Sequence, residues 1–300
     1  MINASIRNRP AAVIQQPGHR ISSGSSELWK NSMNTKTALA AGDYLRSWRQ
    51  RRRMSQLNFA LMAEISQRHL SFLESGRAAP SREMLLHLAE RLDVPLRERN
   101  AMLLAAGFAP VYAERTLEDP AMAAARGAIE VVLKGHEPYP ALAVDRHWNL
   151  VVANAALGPL LVGVVERKLL DPPVNVLRLS LHPEGLAPRI ANLVEWRAHL
   201  LDRLRRQAAV TGDPVLAELL QELSAYPVSD ELEVLQTATR TDHGGVFVPL
   251  KLVTEVGLLS LISTTTIFGT PRDITLSELA LEAFFPADPE TATILRQFSG

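Results

Sequence analysis

Between Ser55 and Ser81 the apolar positions come in two short helical sets separated by a polar joint. Leu57, Phe59, Ala60 and Leu61 form the first set, and Glu64, Ile65 and Ser66 the joint. Leu70 and Leu73 form the second, which runs out at Gly76. This spacing predicts two helices that cross steeply, a helix-turn-helix. Upstream, residues 42–52 read as a helix that buries Tyr44 or Leu45 together with Trp48. Ser55, Ser66 and Ser81 stand where N-caps belong, and Gly76 where a left-handed helix stop belongs. After Pro80, Met84, Leu85, Leu88, Ala89 and Leu92 form an inner helical face, and a fifth helix over 96–106 ends at Gly107. Five short helices predict a small all-α domain over residues 42–107.

Beyond Gly107 the pattern mixes periods. Residues 116–135 read as an amphipathic helix with Leu117, Met122, Ala125, Ile129, Val132 and Leu133 on its inner face. Two strands, 141–144 and 150–153, are joined across 145–149. Residues 155–165 read as helix, and Ile190, Leu193, Trp196, Leu200 and Leu204 mark a long helix. A further helix covers 214–225. Strands over 246–253 and 258–268 turn at Gly257, and a helical piece over 276–284 closes the chain. The prediction for 108–300 is therefore an α+β domain, a small antiparallel sheet carrying helices.

Composition narrows this picture. Three hundred residues, 47% of them apolar, suit two domains with real cores. The absence of cysteine excludes disulfides and thiolate metal sites and fits a cytoplasmic protein. The run 150–165 is short for a membrane span and is broken by Asn154, Gly158, Pro159 and Gly163. Residues 1–41 read as a disordered tail without a signal-peptide core, and Met33 is a candidate alternative start. The zero net charge hides an asymmetry: residues 1–80 carry 12 Lys+Arg against 4 Asp+Glu, the remainder 20 against 28. A basic N-terminal third points to a nucleic-acid partner, or else to a solubility tail. Arg46, Arg49, Arg51, Arg52 and Arg53 crowd the end of the first helix, which favours nucleic acid, with Arg51 to Arg53 supplying diffuse field.

Gln67, Arg68 and Ser71 project from the first turns of the third helix, away from Leu70 and Leu73. Gln and Arg pair with adenine and guanine edges in the major groove of double-stranded DNA, so these three are the candidate base readers. Gln56, in the first turn of the second helix, and Arg77 are the candidate phosphate contacts. The competing reading for all five is an ordinary solvated helix surface. The run Arg49, Ser55-Gln56, Ala63-Glu64-Ile65-Ser66, Leu70-Ser71, Leu73-Glu74-Ser75-Gly76-Arg77 and Pro80-Ser81 resembles the Cro/C1-type (XRE) helix-turn-helix family. That resemblance implies a structural pair between Arg49 and Glu74, and DNA binding as a homodimer. The sequence departs from the family at Glu64, where many relatives carry glycine; a left-handed residue there costs roughly 1 kcal/mol. His69 and Phe72 also make the third helix less polar than is usual.

No HExxH, GxSxG, P-loop or GxGxxG pattern is present, so no enzyme chemistry, metal or other cofactor is expected. His182 beside Glu184 is an acid–base pair or, next to Pro183, a turn histidine. Three groups of residues in the second domain resemble the MmyB-like ligand-binding domain. They are Pro140-Ala141-Leu142 with Trp148, Val151 and Ala153-Asn154; Asn175-Val176-Leu177-Arg178 with Leu181-His182-Pro183; and Thr265 with Phe268-Gly269-Thr270-Pro271 and Phe284 to Asp288. The resemblance implies a PAS-like α/β fold with an apolar pocket and, in some members, fatty-acid-like ligands. Candidate pocket residues are Trp148, Trp196, His199, Leu200, Leu261, Ser263 and Phe268, each with core membership as the competing reading. Arg178 and Arg189 are suited to an acidic head group, or to pairing with Glu184 or Glu195. The combined reading is a transcription regulator that binds DNA and senses a small apolar molecule. The alternatives are a second domain with a filled core that serves only dimerisation or protein interaction, and a DNA-tethered enzyme.

Overall fold

In the computed structural model, which describes residues 40–227 and 247–298, all three serine caps are in place. The side chains of Ser55, Ser66 and Ser81 accept from the backbone N–H of Asn58, His69 and Met84, each at 3.1 Å. They open α2 (Gln56–Met62), α3 (Gln67–Glu74) and α4 (Arg82–Arg91). Helix α1 (Ala41–Arg51) precedes them and α5 (Leu96–Ala105) follows. Leu45, Trp48, Phe59, Leu70, Leu73, Leu85, Leu88 and Leu103 form their common core. Gly76 at φ 71° and Gly107 at φ 81° are the expected left-handed stops, and Glu64 takes φ 56° without being glycine.

The next helix, α6 (Ala123–Gly135), starts later than its apolar pattern suggests. Asp119 accepts from the Ala121 N–H and Pro120 opens a 3-10 turn, Pro120–Met122. Proline has no N–H to continue a helix backwards, so Leu117 packs from an extended segment. Leu117, Met122, Ile129 and Leu133 are buried, whereas Val132 faces out. Residues Ala155–Leu161 form 3-10 turns rather than an α-helix, because Gly158 and Pro159 interrupt the ladder. A short helix that the apolar pattern does not announce, α7 (Val176–Leu181), is capped by Asn175. Then come α8 (Leu193–Thr211), with Ile190 just ahead of it bridged to Leu252, and α9 (Pro214–Ala225).

The sheet corrects one expectation. Residues 276–284 are not a helix: only Ile274–Ser277 forms one turn, α10. Ala280–Pro286 is a strand, β5, and Pro289–Gln297 forms the last helix, α11, capped by Asp288. With β1 (Ala141–Val144), β2 (Leu150–Ala153), β3 (Leu250–Thr254) and β4 (Gly257–Ile267), β5 completes a five-stranded antiparallel sheet of order β2-β1-β5-β4-β3. The strand that reads as a helix in the sequence sits at its centre. Residues 1–39, read as a disordered tail, and the first residue of the strand expected over 246–253 lie outside the described residues.

Helices cover both faces of the sheet. Ala141, Ala143 and Leu281 meet Ile129 and Leu133 of α6 on one face. Leu142, Leu252, Leu259 and Leu261 meet Trp196, Leu200, Leu204, Leu219 and Leu223 of α8 and α9 on the other. The result is an N-terminal helical region followed by an α/β domain with a curled sheet, as the PAS-like reading expected.

Candidate functional site

Two sites arise from this fold, a helix surface and a cavity. On α3, Leu70 and Leu73 point into the core, which turns Gln67 and Arg68 to solvent and leaves Ser71 half-buried. The Arg68 and Arg77 guanidinium groups both lie 5.4 Å from the centre of the Phe72 ring. Phe72 thus lowers the polarity of the helix but also gathers two cations onto one surface. Gln56 is placed differently from a free phosphate donor: its Nε2 donates to Glu74 Oε2 at 2.8 Å. Glu74 also receives Arg49 Nε and Nη2, at 2.6 and 2.8 Å, so the expected Arg49–Glu74 pair is present and buried. Arg51 and Arg52 are not loose charges either. Arg52 donates to the carbonyls of Leu92 and Asp93 at the end of α4, and Arg51 to that of Thr211 at the end of α8.

The cavity, of about 100 Å³, lies between the sheet and α7 and α8. Of the expected pocket residues, Trp148, Trp196, Leu200, Leu261 and Ser263 line it. The other four do not. Arg178 is taken by Glu222 at 2.7 Å, and Arg189 by the carbonyls of Leu160, Val162 and Val253. His199 stacks on the far side of Trp196, with ring centres 5.7 Å apart. Burial, aided by Arg203 and Arg206, lowers the His199 pKa below its ordinary value. Phe268 packs with the α6 cluster on the opposite face of the sheet. His182 is a turn residue whose Nδ1 accepts from the Glu184 N–H at 3.1 Å, with its ring edge on Tyr226.

Three polar residues of the lining are ones that sequence reasoning does not single out: Ser180, Arg203 and Glu282. Arg203 donates to Glu282 at 2.6 and 3.2 Å and lies 4.5 Å over the Trp148 ring. Trp148 adopts φ 68°, a conformation bulky residues rarely take. It is held there by its own turn to Asp145 and by Gln207, which accepts from Trp148 Nε1 at 2.8 Å. A signal for Arg203 was available. Trp196, Leu200, Arg203 and Gln207 follow one another at spacings of four, three and four, a single stripe on α8. Glu282 was hidden by the helical reading of its strand.

Among the described residues no group of three His, Asp or Glu side chains is placed to hold a metal ion. No helix among them is long and apolar enough to cross a membrane. Residues 45–99 match the helix-turn-helix family, and residues 125–298 match the family described as MmyB-like transcription regulator ligand binding domain. A comparison with curated proteins returned no match. The α3 surface and the cavity therefore belong to a DNA-binding transcription regulator with a ligand-binding domain, and the chain is a member of the MmyB-like transcription regulator ligand binding domain family.

Proposed function

We propose that this regulator acts in the cytoplasm as a homodimer on a pseudo-palindromic operator, and that an apolar small molecule in the second domain modulates its grip on DNA. Residues 42–107 would read DNA, and residues 108–300 would bind ligand and dimerise. Gln67, Arg68 and Ser71 make the base contacts. Arg77 holds phosphate, and Gln56 does so through its backbone N–H and the amide hydrogen that Glu74 leaves free. The observation that carries the ligand half is the cavity itself, whose wall among the described residues is apolar apart from Ser180, Arg203, Ser263 and Glu282. A domain serving dimerisation alone would have no need of that space in its core. We assign the chain no catalytic role, because His182 is engaged in its turn.

The DNA half has a direct test. Arg68→Ala should weaken binding to the preferred operator by about 1–3 kcal/mol and relax base preference at one position in each half-site. Titration of labelled specific and random duplexes measures both. Equal losses on the two duplexes would remove Arg68 from the base readers.

A further inference from the structure

Helix α3 carries an aromatic side chain that the core does not use. The core of the helical region takes Leu70 and Leu73 from this helix, and Ile65 and Ala78 from its flanks; among the described residues it does not include Phe72. At about 100° per residue, Phe72 stands almost opposite Leu70 and on the same face as Arg68, four positions earlier. Its carbonyl accepts from the N–H groups of Arg77 and Ala78, at 2.9 and 3.1 Å, which folds the chain after Gly76 back beside the ring. The half-buried ring therefore lies on the surface that carries Arg68, with the guanidinium groups of Arg68 and Arg77 both 5.4 Å from its centre.

Neither guanidinium has a carboxylate partner among the described residues, so two unneutralised cations accompany the ring. Such a pairing suits a phosphate-lined groove better than the apolar centre of a protein interface, where charge is depleted. In the major groove of unmodified DNA the apolar group that a base pair presents is the C5-methyl of thymine, and phenylalanine is among the side chains that pack on it. Base pairs follow one another about 3.4 Å apart. A ring 5.4 Å from the Arg68 guanidinium thus reaches the base pair that Arg68 reads or the one beside it.

Building on the base-reading role of α3, we propose that Phe72 is a specificity residue, which packs on a thymine methyl group at, or next to, the base pair contacted by Arg68. The contact adds discrimination of T·A from C·G without a hydrogen bond.

A preferred duplex is selected from a random pool with the full-length protein. Each thymidine in it is then replaced in turn by deoxyuridine, which removes the methyl group alone. Titration of the labelled duplexes should show a loss of about fourfold at one position in each half-site, the worth of one buried methyl group. That position should coincide with, or adjoin, the base pair whose preference Arg68→Ala relaxes. Phe72→Ala and Phe72→Gln should each bind the thymidine and deoxyuridine duplexes alike there. Ratios between duplexes cancel any general weakening from the lost ring contacts of Arg68 and Arg77. Circular dichroism and melting temperature establish that each variant is folded, and the scan on wild-type protein reads the methyl contact without any variant. Wild-type protein indifferent to every replacement, a sensitive thymidine remote from the Arg68 position, or a folded variant that keeps the full difference would overturn the assignment. Failure of wild-type protein to select any preferred duplex would overturn base reading by α3 as well.

Discussion

Arg49, Glu74 and Gln56 show how much of the N-terminal region rests on single side chains. The carboxylate of Glu74 is wholly buried and receives three hydrogen bonds, two from Arg49 and one from Gln56. Arg49 Nη1 also donates to the Met54 carbonyl at 2.8 Å, so the group ties α1, α2 and α3 together. Removing one partner of a buried pair strands the other. Glu74→Ala should therefore lower unfolding free energy by roughly 3–5 kcal/mol, read from denaturant midpoints. Burial alone would raise the Glu74 pKa, but the bonds from Arg49 and Gln56 outweigh it and hold the carboxyl below its usual range. This stability is complete above the ordinary carboxylate pKa of about 4.3 and is lost as pH falls through the lower folded value. The His199 pKa is also lowered, by burial first, so its share begins to fade as pH falls below about 6.5. Denaturant midpoints recorded against pH should show loss from the His199 range, steepening in the acid carboxylate range. Glu74→Gln should shrink the lower part, the rest of which comes from Glu114, Asp213 and Glu222, also held below their usual range.

The elements divide by how their two sides are covered. Helices α2 to α4 each keep one wet face, so their stripes and serine caps are legible in the sequence. One constraint on the helical region is not. A Cβ on Gly42 would come within 2.4 Å of the Leu73 carbonyl, because α1 and the end of α3 approach backbone to backbone. Gly42→Ala should therefore destabilise by about 1–3 kcal/mol despite its better helix propensity, an expectation that urea unfolding checks. Strand β5 is the opposite case. Leu281 faces the α6 side while Glu282 and Phe284 face the cavity, so no clean alternation of wet and dry positions marks it. Its short apolar run fits a helix as well as a strand, and periodicity alone does not decide between them.

The described residues from 40 to 298 fall in one compact unit, held partly by ions between the helical region and the α/β domain. Arg97 of α5 pairs with Glu114 and with Glu278, just ahead of β5. Arg146, two residues before Trp148, also approaches Glu278, at 3.6 Å. Arg51 of α1 meets the Thr211 carbonyl at the end of α8, the helix that carries Trp196, Leu200 and Arg203 into the cavity wall. These contacts join the DNA-binding helices to the elements around the cavity. Cutting both links with Arg51→Ala and Arg97→Ala should split a single calorimetric unfolding transition into two. One transition in the double variant would mean that other contacts couple the two parts.

Local rules were enough to read the helix-turn-helix, its caps, the left-handed stops and the surface formed by Gln67, Arg68 and Ser71. Each depends on neighbours three or four residues away, and the sequence alone carries that information. The cavity depends on distant partners. Arg203 lies 55 positions after Trp148 and 79 before Glu282, and only the folding of α8 over the sheet sets a guanidinium between an indole and a carboxylate. The same long-range pairing withdrew Arg178, Arg189, His199 and Phe268 from the pocket. Residue type made them plausible, but which side of the sheet or helix they occupy is settled by tertiary packing.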